Sequence, residues 1–493
     1  MRKPLQNILI TVVWLLIWYI AALIINNTIL LCTPFDVLET LVEHIFRPEF
    51  WRSILFTFSR IAAGFVIACA AGILLGVLGW RFRTFDAFFN PAILVMKSVP
   101  IVCFIVLLLI WFGSFYVTAI AVFLVVFPAI YSSVSEGLRN CDVKLAEMLR
   151  IFRVPALRTS LAFYWPSVLP FLVASCRIAV GMAWKSGVAA ELIGIPLGSI
   201  GEQIYQSKIL LSSADLFTWT LVVIIAALLC EKGFLYLLHR SGDWSWRAAL
   251  PRFIGGVQGG IPRDGSQGTV LFETPEMGAS NISVSPIHIR DLGKSFGTHQ
   301  IIKGLSLSFE PGGNYALWGA SGLGKSTFFA LIAGLLPPDT GSIEGVGRIS
   351  MVFQEARLIE NRSALDNIRL TSGAYLSTEA LRGLLTRILP HDSLDIPVSQ
   401  LSGGMRRRVE LCRALATPSH VLLLDEPFAG LDDESRQRAI ELLIDHRCNR
   451  TLVITTHDSY DITALQALRI ELSSEMMPEP QMDHDSQDRG ILP

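Results

Sequence analysis

The residues most able to do chemistry lie at Gly319-Ala320-Ser321-Gly322-Leu323-Gly324-Lys325-Ser326-Thr327, directly after the uncharged run Tyr315-Ala316-Leu317-Trp318. The spacing is G-x-x-x-x-G-K-[ST], and a strand leading into a helix is the context this pattern requires. Its glycines let the backbone curl so that several N–H groups face one phosphate, and the start of the following helix adds positive potential. Lys325 is placed to reach β- and γ-phosphates, and the Ser326 hydroxyl to ligate Mg²⁺. Farther on, the apolar run Val421-Leu422-Leu423-Leu424 ends in Asp425-Glu426-Pro427. Alone, an acidic pair after an apolar strand is commonly just a strand end. After a phosphate loop, Asp425 fits a second holder of Mg²⁺. Glu426 then fits the base that orients and deprotonates an attacking water.

The elements that position these groups follow from the pattern after about Ile287. Short apolar runs alternate with helical stretches there, which predicts an α/β domain with a largely parallel sheet. Between the two motifs stands Leu401-Ser402-Gly403-Gly404-Met405-Arg406-Arg407-Arg408, which resembles the signature of ABC ATPases. The resemblance implies that Ser402, Gly403 and Gly404 donate to the γ-phosphate of an ATP held by another copy. Met405 and Arg407 stand where glutamines are usual, and the sequence assigns Arg407 no consequence. By the same resemblance Gln354 senses Mg²⁺ and the membrane partner, His457 is the switch histidine near the γ-phosphate, and Asp432 belongs to the D-loop. The resemblance also implies that Phe296 is the aromatic that stacks on adenine.

The first half reads differently. The chain has 493 residues, with 52% apolar, 17% charged and a mean hydropathy of +0.49. A typical soluble domain carries about 25% charged residues, so long uncharged runs are at work. Net charge is −1, which gives no footprint for nucleic acid. The eight cysteines form no C-x-x-C pair and read as small apolar residues. A spanning helix needs about 20 apolar residues, which predicts six: Ile8 to Leu31, Ile61 to Trp80, two between about Ala92 and Ser135 divided at Phe112-Gly113-Ser114, Val168 to Ala190, and Leu216 to Leu238. The start Met1-Arg2-Lys3 resembles a signal peptide, but the long run after it, without a clear cleavage site, reads as a membrane helix. Lysine and arginine gather in one set of connecting segments, which places both the N-terminus and the second half on the cytoplasmic side.

Residues 142–170 form the basic loop between the fourth and fifth helices. Glu147 and Leu169-Pro170 within it resemble the EAA loop of binding-protein-dependent importer permeases, which docks on the ATPase. Met148 and Leu149 stand where that pattern has alanines, and Arg153 where it usually has glycine. Lys97-Ser98-Val99-Pro100, Trp111-Phe112-Gly113 and Arg177-Ile178-Ala179 through Ala190-Glu191 look like the nitrate/sulfonate/taurine-type branch, which thiamine-precursor permeases share. Arg177 and Lys185 lie within the fifth helix, where ions often mark a pathway. The bland alternative is that Lys185 snorkels or pairs with Glu191.

The expected organisation is a permease over 1–240, a flexible linker over 241–285, an ATPase over 286–475 and a polar tail over 476–493. Trp244 and Trp246 read either as markers of the inner membrane interface or as linker tryptophans with no fixed site. The resemblance implies an ATP- and Mg²⁺-dependent importer in the cytoplasmic membrane, a homodimer, and a separate extracytoplasmic binding protein. Rival readings are an exporter and a non-transporting membrane ATPase that acts on a partner.

Overall fold

The computed structural model describes residues 2–250, 285–320, 322–373 and 376–472, in two compact units. Of these described residues, one unit comprises those within 2–141 and 164–245, and the other those within 142–163 and from 246 onward. Helices of the first half are α1 (Arg2–Ile25), α2 (Pro34–Ile45), α3 (Pro48–Arg81), α4 (Arg83–Ser98), α5 (Ile101–Arg139), α6 (Val143–Ile151), α7 (Ala156–Thr159), α8 (Trp165–Gly194), α9 (Ile200–Ile209) and α10 (Ser213–Ala249). A single π-helical turn, Ser160–Tyr164, joins α7 to α8.

Among the described residues, four helices are long and apolar enough to cross a membrane: those over Pro48–Arg81, Ile101–Arg139, Ala156–Gly194 and Ser213–Ala249. The first helix offers the shorter apolar stretch Leu9–Ile25. The division expected at Gly113 is present, because that residue has φ 71° and ψ 176° inside α5. No side chain is favoured at such a φ, and glycine is the residue that adopts it freely. The helix expected to start near Ala92 is interrupted, however, at Val99-Pro100. Val99 is extended (φ −82°, ψ 131°), as the residue before a proline prefers to be. That leaves a piece of about 12 residues, Ile101–Phe112. At 1.5 Å per residue it is about 18 Å long, against a hydrocarbon core of about 30 Å.

Packing of this unit centres on α3, α5 and α8. Gly64, Ala68, Gly72 and Gly76 recur every fourth residue along α3, and all are buried. A Cβ at Gly72 would lie 2.8 Å from Ile130, and one at Gly76 2.9 Å from Val134. The missing side chains let the two backbones approach, which is how apolar helices associate where lipid removes the hydrophobic drive.

Residues 241–249, expected in the linker, are helical, the last residues of α10. The Trp244 side chain is exposed and that of Trp246 buried, with the Arg362 guanidinium 4.5 Å from the Trp246 ring. The rest of the expected linker, to residue 284, and the polar tail lie outside the described residues.

Among the described residues, the second unit carries two sheets. A parallel five-stranded sheet has the order β5-β6-β7-β3-β8, with β3 (Asn314–Trp318), β5 (Ile349–Val352), β6 (Val421–Asp425), β7 (Thr451–Thr455) and β8 (Leu468–Glu471). Strands β6 and β7 are buried at every position, as uncharged runs covered on both faces should be. An antiparallel sheet, not anticipated from the sequence, joins β1 (Ile287–Phe296) to β2 (His299–Phe309) and β4 (Thr340–Glu344). The helices are α11 (Lys325–Ile332), α12 (Ala364–Ser372), α13 (Thr378–Thr386), α14 (Gly403–Ala416), α15 (Asp433–His446) and α16 (Ser459–Ala464).

Candidate active site

The phosphate loop lies between β3 and α11, as its spacing predicts. Gly322 (φ 90°) and Gly324 (φ 83°) adopt the left-handed backbone that curls the loop. Ser321 is outside the described residues. The Lys325 ammonium folds across the loop and donates to the carbonyls of Gly319 (2.7 Å) and Ala320 (2.9 Å). Burial pushes its pKa down from the ordinary lysine value, and the charges of Glu426 and Asp425 pull the other way. Ser326 Oγ donates to Gln354 Oε1 at 3.3 Å, which brings together the loop and the second residue after β5.

At the end of β6, the Asp425 carboxylate accepts from the Thr455 hydroxyl at 2.7 Å. The Glu426 N–H donates to the same hydroxyl at 2.9 Å. Glu426 has φ 48°, a strained conformation for a side-chain-bearing residue that clusters at functional sites. It brings the Glu426 carboxylate within 3.2 Å of His457 Nε2, at the end of β7. Parallel pairing of β6, β7 and β3 sets these groups at the same sheet edge.

Other predicted residues stand apart. Ser402 caps α14 through Met405 N–H (3.3 Å), with Gly403 and Gly404 in the first turn. Among the described residues no hydrogen bond joins them to the phosphate loop of the same chain. Asp432 is exposed before α15, its carboxyl held below the ordinary range by hydrogen bonds from Ser435. Phe296 ends β1 with 47% of its surface exposed. Thr327 follows Ser326 in α11, and Leu323 is buried within the loop.

The Glu147 segment belongs to the same compact unit as the phosphate loop. Glu147 lies on α6 and accepts from Arg357 Nη1 at 2.8 Å. The same nitrogen reaches the Lys144 carbonyl at 3.2 Å, and the Lys144 ammonium pairs with Glu355. Arg357 stacks over Phe353 at 3.9 Å, next to Gln354. The departures Met148 and Leu149 are buried, and Arg153 takes a left-handed φ of 49° and reaches the Gly347 carbonyl. Arg153 therefore adopts the conformation that the usual glycine would supply. A cavity of about 360 Å³ beside this joint is lined by Phe152, Arg153, Arg158, Arg348, Thr371 and Pro418 among others.

In the helical unit, Arg177 and Lys185 are exposed on a single copy. Glu191 is fully buried and does not pair with Lys185: it accepts from Thr57 (2.7 Å), Thr118 (3.5 Å) and the Gly201 N–H (3.3 Å). Sequence reasoning passed over Arg60, which is 8% exposed and held between the rings of Phe56 (3.8 Å) and Phe115 (4.0 Å). A charge at the edge of an otherwise uncharged run was the available signal.

Residues 302–429 match the family model described as ABC transporter. Residues 68–236 match the one described as binding-protein-dependent transport system inner membrane component. An aliphatic sulfonates import ATP-binding protein, SsuB, of Corynebacterium glutamicum is 38% identical over 185 residues, 36% of this chain and 76% of that one. A Nod factor export ATP-binding protein I of Burkholderia orbicola is 35% identical over 194 residues, 36% of this chain and 64% of that one. Among solved structures, the dimeric ATP-binding cassette MJ0796 bound to ADP and Pi is similar with 26% identity and a TM-score of 0.35, over 39% of this chain and 97% of that one. With an ATP-binding domain and an inner-membrane transport component in one polypeptide, the chain belongs to the ABC transporter family.

Proposed function

We propose that two copies of this chain form an ATP-driven importer of a small solute in the cytoplasmic membrane, with both ATPases on the cytoplasmic side. The observation that carries import is the Glu147–Arg357 ion pair at 2.8 Å, three residues from Gln354. It ties the importer-like loop to the segment whose Gln354 accepts from Ser326 of the phosphate loop. Exporters of the best-known type use long cytoplasmic extensions of their helices, whereas here the contact is made by a nine-residue helix.

In this reading the phosphate loop and Lys325 bind the ATP phosphates. Ser326, Gln354 and Asp425 supply hydroxyl, amide and carboxylate oxygens, a donor set that suits Mg²⁺ shared with phosphate oxygens. Bound there, Mg²⁺ would neutralise charge on the phosphates. Glu426 orients the attacking water and accepts its proton, with His457 close enough to sense the γ-phosphate. Ser402, Gly403, Gly404 and Asp432 face solvent or the surface on one copy. They would complete the site of the second copy, so a symmetric homodimer is the functional unit. Phe296 would stack on adenine. ATP favours the closed pair and hydrolysis reopens it, and the Glu147 helix passes that movement to the permease.

The solute would arrive on a separate extracytoplasmic binding protein. The permease resemblance and the sulfonate-import relatives support a small anion of the sulfonate, taurine or nitrate type, with a thiamine-precursor pyrimidine as the alternative. Arg177 and Lys185, exposed on one copy, would meet it only along a path shaped by the second. The test is accumulation of each labelled compound in cells carrying the chain and its binding protein. Concentrative uptake of one compound names the solute, and ATP-dependent loss of preloaded compound would replace import by export.

A further inference from the structure

Arg407 stands where a glutamine is usual, and its surroundings give it a task. Its side chain is 7% exposed and that of Glu410, one turn along α14, is fully buried. A buried guanidinium needs acceptors for its fork of donors. Arg407 Nη1 donates to the Phe353 carbonyl, the residue before Gln354, and to Glu410 at 3.2 Å. Arg407 Nη2 donates to the Asp425 carbonyl and to the Glu426 carbonyl at 2.7 Å, and Nε to the Glu426 carbonyl at 3.2 Å. One side chain thus grips the peptides of both acidic residues and of the segment that carries Gln354.

Glu426 is the residue that most needs such a grip. Its left-handed backbone (φ 48°) persists only if its surroundings over-determine it. Thr455 holds its N–H, and Arg407 holds its carbonyl. Glu410 fixes Arg407 in turn. Its carboxylate also accepts from Arg413 (3.1 Å) and from the Arg357 N–H (2.8 Å), so it is saturated from three sides. A glutamine at 407 offers a single amide nitrogen as donor and could not hold the three carbonyls together.

We propose that Arg407, braced by Glu410, is a positioning residue for ATP hydrolysis that fixes the Glu426 peptide and the Gln354 segment in one register. The proposal rests on the reading of Glu426 as the residue that activates water. Glu426→Gln is therefore run alongside: if that variant hydrolyses ATP normally, the reading of Glu426 fails, whatever Arg407 does.

The test uses the full chain in nanodiscs, with ATP hydrolysis measured against ATP concentration and melting followed separately. Arg407→Gln is expected to lower kcat about tenfold or more, as displaced catalytic groups do, with KM for ATP within about twofold. Arg407→Lys, which keeps the charge for Glu410 but has one nitrogen, is expected to fall between Arg407→Gln and the parent. An Arg407→Gln kcat within twofold of the parent overturns the proposal. So does a loss that appears only as raised KM or lowered melting temperature, since that marks a merely structural arginine. If Arg407→Gln does not fold, Arg407→Lys decides: lowered kcat at unchanged KM supports positioning, and parental kcat overturns it.

Discussion

Replacing Glu147 by alanine should separate ATP hydrolysis from transport. The carboxylate and Arg357 Nη1 are 2.8 Å apart, with side chains 33% and 16% exposed. A charge-assisted hydrogen bond is worth about 1.5–3 kcal/mol when sheltered, and partial exposure discounts this to about 1–2 kcal/mol. Since about 1.4 kcal/mol is a factor of ten in an equilibrium, the docked arrangement of α6 should become roughly ten times less favoured. Basal hydrolysis by the purified chain should change by less than about threefold, because the phosphate loop, Glu426 and His457 keep their contacts. Solute uptake, which needs α6 to follow the ATPase, should fall about tenfold. Uptake and ATPase assayed on the same preparation read both numbers. Parental uptake in Glu147→Ala would refute the argument that this pair transmits the movement, and equal loss of both activities would show that Glu147 acts on hydrolysis itself.

Glu426→Gln should reduce phosphate release by at least about a hundredfold, the usual scale of a lost general base, while ATP binding followed by a fluorescent analogue persists. Gly72→Leu should lower the melting temperature of the detergent-solubilised chain, because even its Cβ would lie 2.8 Å from Ile130; overpacking of this kind costs about 1–3 kcal/mol. His420 Nδ1 accepts the Arg348 N–H at 2.9 Å, so the folded state favours the neutral ring. Burial, then Arg348 and Arg153, hold its pKa below 6.5. Its stabilising contribution is complete above that value and is lost as pH falls through the folded-state pKa. The melting temperature should therefore drop less between pH 7.5 and 5.5 in His420→Gln than in the parent.

What the sequence made legible was mostly local. The phosphate loop is a contiguous turn between a strand and a helix, and Asp425-Glu426 closes an apolar strand, so spacing alone located both. Gly113 was readable as a break because glycine divided a run too long for one crossing. Pro100 broke the preceding helix with equal force, but the apolar count on both sides outweighed it. The antiparallel sheet escaped because its pairings, such as Ile289 with Ile343, are set by tertiary register. The cluster of Glu191 with Thr57 and Thr118 joins residues far apart in the chain, and depends on how α3, α5 and α8 pack. Arg407 is the sharpest case. Its departure was visible, but its acceptors lie 54 and 18 residues away, and only the folded sheet brings them under one guanidinium.

The most direct test of ATP-driven import by a single fused chain is solute movement in proteoliposomes built from that chain alone. The lumen holds the binding protein loaded with labelled solute, and ATP is supplied outside, where it reaches the outward-facing ATPases. Label should leave the lumen for the exterior only when ATP is present, and Glu426→Gln should abolish this release. ATP-dependent movement of label into the lumen, or hydrolysis with no movement when the confirmed solute and its binding protein are present, would contradict ATP-driven import by this chain.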